Sequence, residues 1–171
     1  MRIIAGRWRG RRIDAPKGET VRPTLDRVRE AWMSIVHGDL PEARVLDLFS
    51  GSGALGLEAL SRGAASADFV ENAPRSMQVL YDNIAHLGAG DEAEVHKADA
   101  IKFARGLAAN AYDIAFADPP YESRGAEELA DAWRTTPFAA ILGIEHSSRI
   151  SLEGAEERKY GDIRISFFRT P

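Results

Sequence analysis

The chain has 171 residues, enough for one domain that buries roughly two-thirds of the surface its unfolded form would expose. It contains no cysteine, which excludes disulfides, thiolate metal sites, cysteine nucleophiles and iron–sulfur radical chemistry, and agrees with a reducing compartment. The net charge of −4 is uneven: residues 1–29 hold nine bases against three acids, a local +6 that leaves −10 for the remainder, as expected when one face meets phosphates and the rest stays soluble.

Met1 to Pro16 alternates bases with Ile3, Ile4, Trp8 and Ile13 and is broken by Gly6 and Gly10, which predicts a short basic β-hairpin or arm. Trp8, set between arginines, is placed either to stack on a base or to pin the arm to the body. A helix is expected from the capping residue Thr24, because Leu25, Val28, Trp32 and Ile35 recur at helical spacing until His37-Gly38. After Pro41 short apolar runs alternate with helical ones. Strands are expected over 44–48, 67–70, 93–96, 112–117 and 139–145, and helices over 54–62, 74–87, 100–105 and 126–134. That alternation implies right-handed crossovers and a mostly parallel sheet covered on both faces. The tail differs: 156–160, the turn Gly161-Asp162 and 163–169 form an expected antiparallel hairpin.

The expected organisation is an arm over 1–20 that contacts nucleic acid, followed by a single α/β domain over 21–171, without repeats. No early apolar segment resembles a signal peptide and no apolar run is long enough to span a bilayer, so a cytoplasmic protein is expected; a monomer is the separate expectation. Trp32 and Trp133 fit apolar helix faces and read as core. His37 and His86 fall near helix C-termini, no histidine pair has metal-ligand spacing, and no metal is expected. Glu145-His146 closes a strand on the expected site edge, where a minor substrate contact is available.

Gly51-Ser52-Gly53-Ala54-Leu55-Gly56 fits GxGxxG between a predicted strand and a predicted helix, so the backbone can turn tightly and offer amides to a ligand. Glu71 closes the next strand, where a carboxylate can accept from both hydroxyls of a ribose. These features point to an adenosine-bearing cofactor. The preceding strand ends Asp47-Leu48-Phe49-Ser50, and an acid just before the glycines would repel a pyrophosphate but suits the ammonium and sulfonium of S-adenosylmethionine. Asp99, before Ala100, closes the third strand and can accept from an adenine amino group; Asp47 and Asp99 are nearly as well placed simply to cap helices.

Asp118-Pro119-Pro120-Tyr121 follows the fourth strand on the same edge. An exocyclic amine on a base is a poor nucleophile because its lone pair is delocalised into the ring. A carboxylate and the Pro119 carbonyl can each accept one N–H, aim the lone pair out of plane toward a methyl donor, and stabilise the charge that develops. The prolines add no competing N–H and fix φ, and Tyr121 can stack on a base taken out of its helix. Without cysteine, pyrimidine C5 methylation through a thiolate adduct is disfavoured, leaving nitrogen as the acceptor.

The pieces MRIIAGRWRGRRI, RPTLDRVREAWMSI, DLFSGSGALGLEALSRGA, FVEN, DIAFADPPY and YGDIRISFFR resemble, in order and nearly end to end, the RsmD family of 16S rRNA guanine-N2 methyltransferases. The resemblance implies a Rossmann-like class I methyltransferase fold with seven strands. It also implies S-adenosylmethionine as cofactor, and the N2 amine of one guanine in 16S rRNA, within the small ribosomal subunit or its assembly intermediate, as substrate. Carried over by motif, Asp47, Ser50, Gly51 and Gly53 would hold the methionine end, Glu71 the ribose, and Asp99 with Ala100 the adenine. Asp118, Pro119, Pro120 and Tyr121 would position the guanine. Arg22, Thr24 and Arg27 would lie near the cofactor or target strand, while Arg7, Arg9, Arg11 and Arg12 would grip rRNA phosphates. The segment between Glu145 and Tyr160 is short for a substrate loop. Competing readings are an N6-adenine DNA or RNA methyltransferase, a dinucleotide-dependent oxidoreductase, and a non-catalytic RNA-binding assembly factor.

Overall fold

A computed structural model describes residues 1–16 and 23–171, with only the backbone of 23–25. Its centre is a seven-stranded sheet in the order β3-β2-β1-β4-β5-β7-β6, built from β1 (Arg44–Leu48), β2 (Ser66–Glu71), β3 (Ala93–Lys97), β4 (Tyr112–Ala117), β5 (Ala139–Ser147), β6 (Glu156–Tyr160) and β7 (Ile163–Arg169). The first five strands run parallel, and β7 and β6 close the sheet antiparallel. This is the Rossmann-like class I methyltransferase architecture with its antiparallel C-terminal pair. The order reverses between β1 and β4, the switch point where open α/β sheets bind ligands.

Among the described residues five helices complete the layers: α1 (Pro23–Ile35), α2 (Ala54–Ser61), α3 (Pro74–Leu87), α4 (Ala100–Arg105) and α5 (Gly125–Thr135). The period of two along each strand sorts residues between two cores. Val45, Phe69, Ile114, Phe116 and Ile141 join α1, α2 and α3 in one; Leu46, Leu48, Val70, Ala115, Ala117, Leu142 and Ile144 join α4 and α5 in the other. The same alternation decides where the strand-end acids go. Asp47, Glu71 and Glu145 share the parity of the first face, and Asp118, directly after β4, continues it.

The first helix runs from Pro23 and gives way after Ile35 to a 3-10 turn, His37–Asp39, one residue before Leu40 enters the core. α3 has proline at its first position and ends at Gly88, whose φ of 68° is the left-handed conformation that glycine adopts without strain. Residues 1–13 form a small loop closed by an Arg2–Arg12 antiparallel bridge, with Ile3, Trp8 and Ile13 buried in the first core. Trp8 therefore pins the arm: its amide donates to Ser61 Oγ at 3.0 Å. Gly6, at φ 88°, sits so tightly on α2 that an added Cβ would lie 1.9 Å from the Ser61 carbonyl oxygen.

Candidate active site

At the carboxyl edge of the sheet, beneath α1 and beside the β1–α2 loop, lies a cleft of about 480 Å³. Asp47, Ser50, Gly51, Glu71, Asp118 and Pro120 all line it. It thus unites residues at the ends of three strands that are 73 positions apart in the chain at their extremes.

The loop is shaped by its own sterics. Phe49, Gly51 and Gly53 have positive φ (56°, 53° and 83°), and a Cβ on Gly53 would meet Leu80 Cδ1 at 2.5 Å. At Gly51 an added Cβ would meet nothing within 4 Å, so this backbone faces open space. Ser50 Oγ donates to the Val70 carbonyl at 3.3 Å and ties the loop to β2.

Asp47 is 2% exposed, and its Oδ2 accepts from the Gly56 amide at 3.0 Å in the first turn of α2, doing the work of the side-chain cap that Gly53 lacks. Burial pushes its carboxyl up to about 8; the Gly56 bond opposes that shift and the nearby charge of Glu71 adds to it. Asp47 thus caps the helix as the sequence allowed, and its poorly solvated carboxyl lines the cleft.

Glu71 accepts from the Gly51 amide with Oε1 (2.8 Å) and from the Asn72 and Ala73 amides with Oε2 (2.9 and 3.0 Å). A carboxylate has about four acceptor positions, so about one remains for a ligand hydroxyl where the sequence suggested two. Asp99 caps α4, its Oδ1 accepting from Lys102 N at 2.9 Å, and Ala100 is buried in the second core; neither lines the cleft.

On the acceptor side, Asp118 is exposed and Pro119 buried. Pro119 is held by Gly125, where a Cβ would lie 2.7 Å from Pro119 Cβ, so the start of α5 sits flush against the motif. Tyr121 is 47% exposed, leaving ring area to stack on, while its Oη donates to Glu145 Oε2 at 3.3 Å. Burial, then the charges of Glu145 and Asp118, hold its hydroxyl protonated well above the usual range.

Glu145, Trp32, Arg29 and Asp26 also line the cleft. Trp32 is core and site at once: it packs edge-on to Phe116 (5.3 Å) and Phe167 (5.4 Å), and Gly143 leaves room for it, since a Cβ there would lie 2.1 Å from Trp32 Cζ3. Arg29 is buried, donating to the Arg2 carbonyl at 2.6 Å and pairing with Asp26 (3.2 Å) and Glu58 (3.8 Å). Glu58 in turn accepts from the Ile4 and Ala5 amides, linking the arm to this wall of the cleft.

Among the arm's bases, Arg7 pairs with Glu92 and lies 4.1 Å over the Trp8 ring, and Arg11 donates to the His86 carbonyl at 2.6 Å. Arg9, Arg12 and Arg27 are exposed and have no side-chain partner among the described residues. Arg22 lies outside the described residues, as does the side chain of Thr24. Away from the cleft, Asp68, Glu94 and His96 bring ligand-type atoms within 4.8 Å of one another on β2 and β3, where Asp68 accepts from Tyr112 Oη at 2.6 Å. His146 is structural, with its Nε2 2.7 Å from Ser166 Oγ.

A family model described as Conserved hypothetical protein 95 matches residues 1–169. Ribosomal RNA small subunit methyltransferase D of Escherichia coli (strain K12) is 43% identical over 128 residues, 75% of this chain; the match spans 64% of that relative's length. YlbH of Bacillus subtilis (strain 168) is 32% identical over 157 residues, covering 89% of this chain and 85% of its own. The solved structure of yhhF from Escherichia coli superposes with a TM-score of 0.85 at 34% identity, over 99% of this chain and 97% of that one. The chain belongs to this family, the RsmD family that its arm, glycine loop and DPPY segment resemble.

Proposed function

We propose that the chain uses S-adenosylmethionine to methylate the exocyclic N2 amine of a guanine in 16S rRNA, in the small ribosomal subunit or its assembly intermediate. The observation that carries this reading is the shared cleft, in which a buried cofactor-side carboxyl, Asp47, and an exposed acceptor, Asp118, lie on one face of the sheet edge. The name of the Escherichia coli relative supports rRNA as the polymer, and the basic arm supplies phosphate-binding charge. A substrate of this kind places the protein in the cytoplasm.

The donor set fits the cofactor. Asp47 is costly to ionise in the bare cleft and gains a partner when an ammonium approaches, while Ser50, Gly51 and Gly53 shape the loop around the methionine end. Glu71 takes a ribose hydroxyl with its remaining acceptor position, and Asp99 with Ala100 takes the adenine beyond the cleft. When bound, the cofactor supplies an electrophilic methyl group on a sulfonium. Asp118 and the Pro119 carbonyl then accept the two amine N–H groups, so the nitrogen lone pair faces that methyl instead of the ring. Asp118 takes the proton that the nitrogen sheds once methylated. Tyr121 and Pro120 hold the base plane. Arg9, Arg12 and Arg27 meet phosphates, whereas Arg7 and Arg11 fasten the arm and act on RNA only if released from Glu92 and His86.

The same acceptor pair would serve an adenine N6 amine, and it is the arm and the family that favour guanine in rRNA. The test is transfer of a labelled methyl group to small-subunit particles, naked 16S rRNA and duplex DNA in parallel. Label on the particles or rRNA is expected. Label confined to DNA, or tight nicotinamide dinucleotide binding with no methyl transfer, would defeat the proposal.

A further inference from the structure

On its other side α1 walls a second cavity, of about 170 Å³, lined by Arg27, Val28, Tyr160 and Gly161. Asp26 and Arg29, three positions apart on the helix, line the cleft, whereas Arg27 and Val28 between them line this pocket. A helix with its side chains is about 10–12 Å across, the length of about three nucleotides of stacked strand and fewer of an extended one.

The far wall is the turn between β6 and β7. β7 runs antiparallel to β5 and pairs Ile163 with Ser147 and Ile165 with Glu145, so Gly161-Asp162 stands on the same sheet edge as the cleft. The Ser148 amide donates to the Asp162 carbonyl at 2.8 Å and fixes the turn there. Gly161 has a φ of 62°, and an added Cβ would meet nothing within 4 Å, so its backbone faces open space.

We propose that this pocket takes a nucleotide flanking the target in single-stranded rRNA, its base against the Tyr160 ring and its phosphate on Arg27. The inference rests on reading the cleft as the place where an rRNA base is methylated. Tyr160 is half-buried and packs against the first core, and neither a second ring nor a guanidinium covers it among the described residues. A ring held on one side and free on the other is what a stacked base needs, and such stacking accepts any base because each has a π-face. Arg27 is exposed and has no side-chain partner among the described residues, so its guanidinium is available to a phosphate. The period of two along β6 puts Arg158 on the same face as Tyr160, a second cation whose carboxylate neighbour, Glu156, lies 4.0 Å away. A ring, an apolar floor at Val28 and a cation at the rim suit a whole nucleotide better than a bare phosphate. The arm is fastened to α2 and α3, whereas the pocket adjoins the edge strand β6, so RNA gains a holding point apart from the arm.

The experiment measures methyl transfer to unmodified small ribosomal subunits by the wild-type chain, Tyr160→Ala and Tyr160→Phe, and maps ultraviolet cross-links between the wild type and the rRNA. Tyr160→Ala should raise the KM for subunits roughly tenfold to a hundredfold, with kcat and S-adenosylmethionine affinity close to wild type. Tyr160→Phe, which keeps the ring, should stay within about threefold of wild type. The wild-type peptide that holds Tyr160 should cross-link to a nucleotide within about three positions of the methylated base. An unchanged KM in Tyr160→Ala, a phenylalanine variant as impaired as the alanine one, or cross-links only to nucleotides far from the methylated base would overturn the proposal. If Tyr160→Ala does not fold, the phenylalanine comparison and the cross-link map decide. These readouts hold whichever base is modified. A wild type that methylates guanine, with an unchanged KM in Tyr160→Ala, counts against the pocket alone, whereas a Tyr160 cross-link beside a methylated adenine counts against the guanine assignment alone.

Discussion

Asp47→Asn offers a test in which stability and function move in opposite directions. The folded chain holds the Asp47 carboxyl at about 8, against 3.8 for an unperturbed one. Below pH 3.8 the group is protonated in both states and makes no difference. Between 3.8 and about 8 the folded chain carries a proton that the unfolded chain releases, so unfolding gains about 1.4 kcal/mol per pH unit from this residue, and above 8 the loss levels off. At pH 7 the accumulated cost is on the order of 4 kcal/mol, a large fraction of a small domain's stability. Asparagine keeps an oxygen for the Gly56 amide and has nothing to ionise. Part of its gain is offset because its new N–H donors are buried, at roughly 1–3 kcal/mol. Urea denaturation of both proteins from pH 5 to 9 should therefore show the stability difference growing in the variant's favour by about 1.4 kcal/mol per unit up to pH 8 and then flattening. The variant should also bind S-adenosylmethionine roughly tenfold to a hundredfold more weakly, having lost a charge-assisted partner for the ammonium. A pH-independent stability difference would refute the account of Asp47 as a carboxyl held ready for a cation.

Other substitutions probe separate parts of the cleft. Asp118→Ala should reduce methyl transfer on the order of a hundredfold or more while leaving cofactor affinity near wild type; a collapse of cofactor binding in calorimetry would mean the residue serves the other ligand. Replacing Arg9 and Arg12 together by Ala should weaken RNA binding and lower the slope of log affinity against log salt by about two, with an unchanged slope showing that the arm is only a solvated tail. Gly143→Ala should cost roughly 1–3 kcal/mol, because the new methyl meets Trp32 Cζ3 at 2.1 Å in a packed core; a thermal midpoint equal to wild type would show that Trp32 has room to move.

Much of this was legible in the chain. The period-two and period-3.6 patterns located each strand and helix within a few residues, and turn chemistry marked Gly88 and Gly161. Asp47, Glu71 and Asp118 were readable because each closes an apolar run, and strand ends on one edge of a parallel sheet meet at one place. The pattern itself marked seven strands, five alternating with helices and two in the terminal hairpin; the resemblance supplied the expected substrate. What stayed hidden depends on register between distant segments. Glu145 opposes Asp118 only because β4 and β5 pair as they do, and Gly125 supports Pro119 only because α5 begins where it does. Trp32 could be read as core from its helical spacing, but nothing local showed that its buried face also walls the cleft. The arm's arginines look equivalent in sequence, yet Arg7 and Arg11 find partners at Glu92 and His86, more than seventy positions away. Asp99 is the reverse case: a local signal, the helix cap, accounts for one of its oxygens.

The central claim is tested most directly by identifying the modified nucleoside. Small ribosomal subunits lacking the modification are incubated with the purified chain and labelled S-adenosylmethionine, and their 16S rRNA is digested to nucleosides and resolved by mass spectrometry. The account predicts label in N2-methylguanosine alone, absent when Asp118→Ala replaces the wild type. Label in N6-methyladenosine or a methylated pyrimidine, or equal label with the Asp118 variant, would contradict it.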